Sequence, residues 1–220
     1  MTLRPSTEHE KPDDFNLPEQ KFDITRHLKS SNLPPGTRLT HRFDTWVHRK
    51  ELVEAVKATR RFLSPRAKHH FLTLAGECGC GKTHLAIAAA WDNLEATGLT
   101  TCYWQTGALM HYLRGLYDKD RHPAQPAIDV ELKWLCKCSL LVLDDLGTEA
   151  STEWTTSILD QIVDTRYINC MKTLFTTNAT PQNLPPRVVD RMMEGTVITI
   201  AAKSYRRLNK DKEVQPHEPS

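Results

Sequence analysis

The sequence predicts an α/β fold in three layers, with helices on both faces of a central parallel sheet. Three observations carry that expectation. Short apolar runs of strand length alternate with helix-length segments from residue 44 to residue 201, and strands joined through helices form parallel sheets with right-handed crossovers. Between the first run and the first long helical segment stands Gly76-Glu77-Cys78-Gly79-Cys80-Gly81-Lys82-Thr83. Its spacing, G-x-x-x-x-G-K-[ST], suits a backbone that turns several N–H groups toward one phosphate. A later apolar run, Ser139 to Leu143, ends in Asp144 and Asp145, at the strand end where such sheets bind ligands.

Residues 1–38 carry Pro5, Pro12, Pro18, Pro34 and Pro35 among many charges, so they read as a flexible arm with a short helix near Phe22 to Leu28. From Asp44 a helix is expected, with Leu52, Val53, Val56, Ala58 and Phe62 on its apolar face. A strand (Phe71 to Ala75), the glycine loop, an alanine-rich helix (Thr83 to Thr97) and a strand (Thr101 to Trp104) follow. Next come a helix (Ala108 to Tyr117), a polar loop (His122 to Pro126), a helix (Asp129 to Lys137) and the strand Ser139 to Leu143. The series closes with a helix (Thr152 to Ile168), a strand (Lys172 to Thr177), a short helix (Pro186 to Met193) and a strand (Thr196 to Ala201). Residues 208–220 form a polar tail, so the division is arm 1–38, main domain 39–207 and tail 208–220.

At 220 residues and 39% hydrophobic, the length suits one domain with tails rather than two. The N-terminus is polar without an apolar signal core, and no apolar run approaches the ~18 residues of a membrane helix; a cytoplasmic protein without membrane contact is expected. Six cysteines are then reduced thiols. The net charge of +2 says little about nucleic acid, and the clusters Arg60, Arg61, Arg66, Lys68 and Arg206, Arg207, Lys210, Lys212 each read first as solvated faces. Cys78-x-Cys80 and Cys136-x-Cys138 suggest zinc, but they flank opposite strand ends, about 17 Å apart by strand rise, too far for one tetrahedral site.

The loop from Gly76 to His84 is the candidate nucleotide site, comprising Gly76, Glu77, Cys78, Gly79, Cys80, Gly81, Lys82, Thr83 and His84. Lys82 is placed to reach the β- and γ-phosphates and the Thr83 hydroxyl to coordinate Mg²⁺. Asp144 is the candidate to hold Mg²⁺ through water, and Asp145 to orient the attacking water. Asn178, closing the strand "TLFTTN", can hydrogen-bond the γ-phosphate or that water. Arg187 and Arg191, four residues apart, share a helix face, and Arg206 follows the last strand; arginines at phosphate sites stabilise transition-state charge.

"GKTHLA", "LLVLDDLG", "TTN", "RVVDRM" and "SYR", in this order and spacing, resemble the AAA+ ATPases of the bacterial DnaC/DnaI helicase-loader family, and are similar to the IstB transposition helpers. The likeness spans about residues 40–207. It implies a three-layer P-loop NTPase with an AAA+ core, ATP and Mg²⁺ as ligands, and ATP hydrolysis. It makes Asn178 the sensor 1 residue, Arg191 the arginine finger offered to a neighbouring subunit with Arg187 in reserve, and Arg206 the sensor 2 arginine. "RFDTWVHRKELVEAVKA" resembles the segment that helps to enclose adenine. The implied partners are single-stranded DNA, a replicative helicase and further copies of the chain, with Thr106, Leu109, Met110, His111, Arg114 and Tyr117 facing the DNA. Three features depart from the family: an aspartate where many relatives have glutamate at position 145, only a short arm where loaders carry a helicase-gripping domain, and a tail too short for a helical lid. The alternatives are an IstB-type helper acting with a transposase on duplex DNA, a P-loop small-molecule kinase, and a nonhydrolysing adaptor. Intact Lys82, Thr83, Asp144 and Asp145 oppose the last. "NKDK" at Asn209 to Lys212 places its aspartate one position early for guanine recognition.

Overall fold

The computed structural model describes residues 24–45, 50–117, 125–149, 151–202 and 204. Five parallel strands, β1 (Phe71–Gly76), β2 (Thr101–Gln105), β3 (Leu140–Leu146), β4 (Lys172–Thr177) and β5 (Thr196–Ile200), lie in the order β2-β3-β4-β1-β5. Helices are α1 (Thr25–Leu28), α2 (Val53–Leu63), α3 (Lys82–Thr97), α4 (Thr106–Tyr117), α5 (Gln125–Lys137), α6 (Glu153–Ile168) and α7 (Pro186–Glu194). The expected α/β architecture is present, and the pleat explains it. Leu72, Leu74, Leu140, Val142 and Leu174 point to one face, under α2 and α3, while Phe71, Leu141, Leu143 and Phe175 point to the other, under α4 to α7. With both faces covered, strands read as continuous apolar runs rather than alternating ones.

Element bounds shift where local chemistry overrides composition. The helix expected from Asp44 begins at Val53, after a 3₁₀ turn at Lys50–Leu52. α5 starts at Gln125, inside the expected polar loop. β3 runs past the two aspartates to Leu146, with a bulge in its pairing to β4 between Leu143 and Leu146.

Part of the expected flexible arm is packed. Residues 24–38 form α1 and two 3₁₀ turns, and Leu33 is buried in the α2/α3 face of the core. Asn32, in the left-handed conformation at φ 53°, donates from Nδ2 to the Tyr103 carbonyl at 3.0 Å. Trp91 Nε1 donates to Thr37 Oγ1 at 3.0 Å. This segment therefore covers β2, an edge strand whose outward backbone groups would otherwise be open to pairing. Scattered anchors of this kind carry no periodicity, which is why composition alone suggested a mobile arm; residues 1–23 lie outside the described set.

On the far side of the sheet, Arg166 of α6 is completely buried. Its guanidinium donates to the carbonyls of Leu135 at 2.7 Å, Cys138 at 2.9 Å and Lys172 at 2.5 Å, and to Thr173 Oγ1 at 2.9 Å. It joins α5, the entry to β3, and β4.

Candidate functional site

The loop between β1 and α3 has the backbone that its glycines imply. Gly79 sits at φ 79°, where a Cβ would overlap the Ser204 side chain, and a Cβ on Gly76 would lie 2.6 Å from the Ile200 carbonyl oxygen. Gly81, also left-handed, caps α3, whose first N–H groups and dipole favour an anion. The Lys82 side chain is buried, and its ammonium donates to the carbonyls of Gly76 at 2.8 Å and Glu77 at 3.0 Å. The His84 ring stacks on His41, centroids 4.6 Å apart, and lies 3.3 Å from the Arg42 carbonyl. Burial holds both histidines below the usual imidazole range. Arg42 and Arg38 both pair with Glu95 of α3, at 2.6 and 2.9 Å, so residues 38–42 are fastened beside the loop.

Asp144, just before β3 ends at Leu146, is fully buried, and its carboxylate accepts three hydroxyls. Thr83 Oγ1 lies 3.1 Å from Oδ1, Thr176 Oγ1 donates to Oδ1 at 2.6 Å, and the Tyr103 hydroxyl donates to Oδ2 at 2.8 Å. Thr83 and Asp144 thus offer adjacent hard oxygen donors, the set that suits Mg²⁺ with a mostly aqueous shell. Asp145 follows in the left-handed conformation, φ 59°, which aspartate tolerates better than most residues. Its N–H donates to Thr176 Oγ1 at 2.9 Å and its carbonyl accepts the Thr148 hydroxyl at 2.8 Å. The bulge breaks the alternation of the strand, a common way to re-aim a side chain beside a site.

Asn178, after β4, reaches the loop directly: its amide nitrogen is 3.1 Å from Cys78 Sγ. Lys82, Thr83, Asp144 and Asn178 are therefore gathered at the carboxyl ends of three strands, and Asp145 stands next to them. Cys138 lies at the opposite end of the sheet, against Arg166. Arg187 and Arg191 share the α7 face as expected, both around Asp164 of α6. Arg191 donates to Asp164 at 3.0 Å and Glu194 at 2.9 Å, with its guanidinium 4.1 Å from the Tyr167 ring centroid. Arg187 only brushes Asp164, at 3.7 Å, and its side chain is 73% exposed against 31% for Arg191. Arg206 lies outside the described residues.

The expected DNA-facing set on α4 divides into two. Thr106, Leu109 and Met110 are buried, Thr106 donating to the Asp144 carbonyl at 3.0 Å; they are core residues, because that stripe of α4 packs on the sheet. His111, Arg114 and Tyr117 are on the solvent side. Arg114 stacks 5.1 Å from the Trp154 ring centroid, and the two help line an open groove of about 300 Å³ with Glu149 and Thr148.

The IstB-like ATP binding protein family model matches residues 23–213. The chain belongs to that family. A putative insertion sequence ATP-binding protein of Sinorhizobium fredii is 29% identical over 197 residues, covering 84% of this chain and 62% of the relative. The replicative helicase loader DnaC of Buchnera aphidicola is 25% identical over 166 residues, covering 73% and 65%. Across these curated relatives the chain matches less than two thirds of their length. Among solved structures, the DnaC helicase loader superposes with a TM-score of 0.63 at 26% identity, over 74% of this chain and 98% of that one. These likenesses establish an IstB-like, DnaC-type AAA+ domain. Tyr103 and Thr176 were not singled out as site residues: each sits inside an apolar strand run, where an aromatic or β-branched residue reads as packing.

Proposed function

We propose that this IstB-like chain binds ATP with Mg²⁺, hydrolyses it, and acts as a helicase-loader-like protein assembling on single-stranded DNA. The supporting observation is the convergence of Lys82, Thr83, Asp144 and Asn178 on one loop. Lys82 and the α3 N-terminus hold the β- and γ-phosphates; Thr83 and Asp144 are placed to hold the metal. Bound there, Mg²⁺ neutralises phosphate charge. Asp145 orients the attacking water, with Asn178 fixing the γ-phosphate side. Arg191 is the finger completing a neighbour's site, which requires it to leave Asp164; Arg187, already extended into solvent, is its rival. Arg206 acts as the sensor 2 arginine within its own subunit.

The loader reading is supported by the structural likeness to DnaC at 26% identity and by the exposed His111, Arg114 and Tyr117, basic and aromatic groups of the kind that engage unpaired bases. The IstB-type helper reading is supported by the insertion-sequence relative, which matches more of this chain than the loader does. Fluorescence anisotropy separates them. Under the loader reading, single-stranded DNA binds tightly only with ATP or a nonhydrolysable analogue, and affinity falls steeply with salt as counterions are released. Equal affinity with and without nucleotide overturns the coupling, and a preference for duplex selects the transposition helper.

A further inference from the structure

Tyr103 stands at an interior position of β2, ring buried, hydroxyl 2.8 Å from Asp144 Oδ2. Its register partner on β3, Val142, and the next in line on β4, Leu174, are aliphatic. A phenol among them is retained at a cost unless its hydroxyl finds a partner, and the partner here is the buried carboxylate.

Two of the three hydroxyls on Asp144 come from within the sheet, one to each oxygen: Thr176 from β4 on Oδ1 and Tyr103 from β2 on Oδ2. The third, Thr83, belongs to the nucleotide loop. A carboxylate gripped at both oxygens cannot rotate about its Cβ–Cγ bond without breaking a charge-assisted hydrogen bond. The grip is anchored in the sheet, because β2 is paired to β3 through Trp104↔Leu143 and Gln105↔Asp144, and the Tyr103 carbonyl also accepts from Asn32.

We propose that Tyr103 is a positioning residue for the Mg²⁺ site, its hydroxyl fixing the Asp144 carboxylate in the orientation that holds the metal beside Thr83. Loss of a partner that orients a metal-holding carboxylate commonly lowers metal affinity by about 10–100-fold.

This inference rests on the Mg²⁺–nucleotide reading of the site, and equilibrium binding of a fluorescent ADP analogue tests the two separately. In Tyr103→Phe, which keeps the ring, affinity in EDTA stays at the wild-type value while the Mg²⁺ concentration giving half of the metal-dependent gain rises roughly 10-fold. In an Asp144→Asn background, adding Tyr103→Phe brings no further loss at saturating Mg²⁺, because the hydroxyl then has no metal-holding carboxylate to orient. Circular dichroism and thermal melting confirm the fold, and Tyr103→Met serves if the phenylalanine variant does not fold. An unchanged Mg²⁺ requirement overturns the inference, as does an equal loss of affinity in EDTA and in Mg²⁺. A wild-type protein whose nucleotide affinity ignores Mg²⁺ removes the underlying reading and the inference together.

Discussion

Replacing Thr176 by valine preserves volume and β-branching and deletes one oxygen with two jobs. That oxygen donates to Asp144 Oδ1 at 2.6 Å and accepts the Asp145 N–H at 2.9 Å. A hydrogen bond to a charged group contributes about 1.5–3 kcal/mol, and a buried donor left unpaired costs about 1–3 kcal/mol. Asp144 keeps two donors and Asp145 is only half-buried, so the lower halves of these ranges apply and the expected loss is about 2.5–4 kcal/mol. For a domain of this size that is a fall in Tm of roughly 5–15 °C. Because the same oxygen pins the left-handed Asp145 peptide, hydrolysis should slow even where the variant is fully folded, with nucleotide binding retained at saturating Mg²⁺. Urea unfolding with an unchanged m-value gives the first quantity, and phosphate release at low temperature the second. Thr73→Val is the matched control: Thr73 is a buried strand threonine whose hydroxyl has no partner among the described residues, so valine there should be neutral or stabilising. Thr176→Val and Thr73→Val equal in stability, with wild-type hydrolysis in both, would refute the account of the bulge.

Lys82→Ala should greatly weaken nucleotide binding, whereas Asp145→Asn should bind and hydrolyse slowly; a fluorescent-nucleotide titration unchanged in the lysine variant sinks the assigned site. Arg191→Ala should lose about 10³-fold in hydrolysis while still binding ATP, and mixing it with Asp145→Asn should restore activity at shared interfaces. If Arg191→Ala is fully active and Arg187→Ala is not, the finger is Arg187. His41 and His84 titrate below their unfolded value of 6.5, so the unfolded chain takes up more protons as pH falls through that value, and stability should decline with acidification. His84→Gln should flatten that decline in melting curves recorded across the pH range.

The phosphate loop was legible in sequence because its chemistry is fixed by covalent spacing: Gly76, Gly79 and Gly81 occupy positions where a side chain collides or the backbone turns left-handed. The inner strands were legible because burial on both faces favours apolar runs such as Leu140 to Leu143. Other features depend on contacts with no local signature. Asp144-Asp145-Leu146 reads as a strand ending, and only Thr176, thirty-odd residues later, shows it to be a bulge. α4 is apolar around much of its circumference, so its rotation on the sheet, which buries Leu109 and Met110 and exposes Arg114, is set by tertiary packing. The docking of residues 24–38 rests on Asn32, Leu33 and Thr37, three residues that share no pattern.

Arg166 bears on how the molecule opens. Its guanidinium ties three chain segments to one charge, and withdrawing any of them strands a cation in a dry interior. The end of α5, the body of α6 and the start of β4 should therefore exchange their amide hydrogens as a single unit, at a common free energy close to that of global unfolding. Residues 24–38, fastened by side chains at an edge, should exchange earlier and separately. Motion linked to ligands then belongs to residues 24–38, which can loosen without disturbing that block.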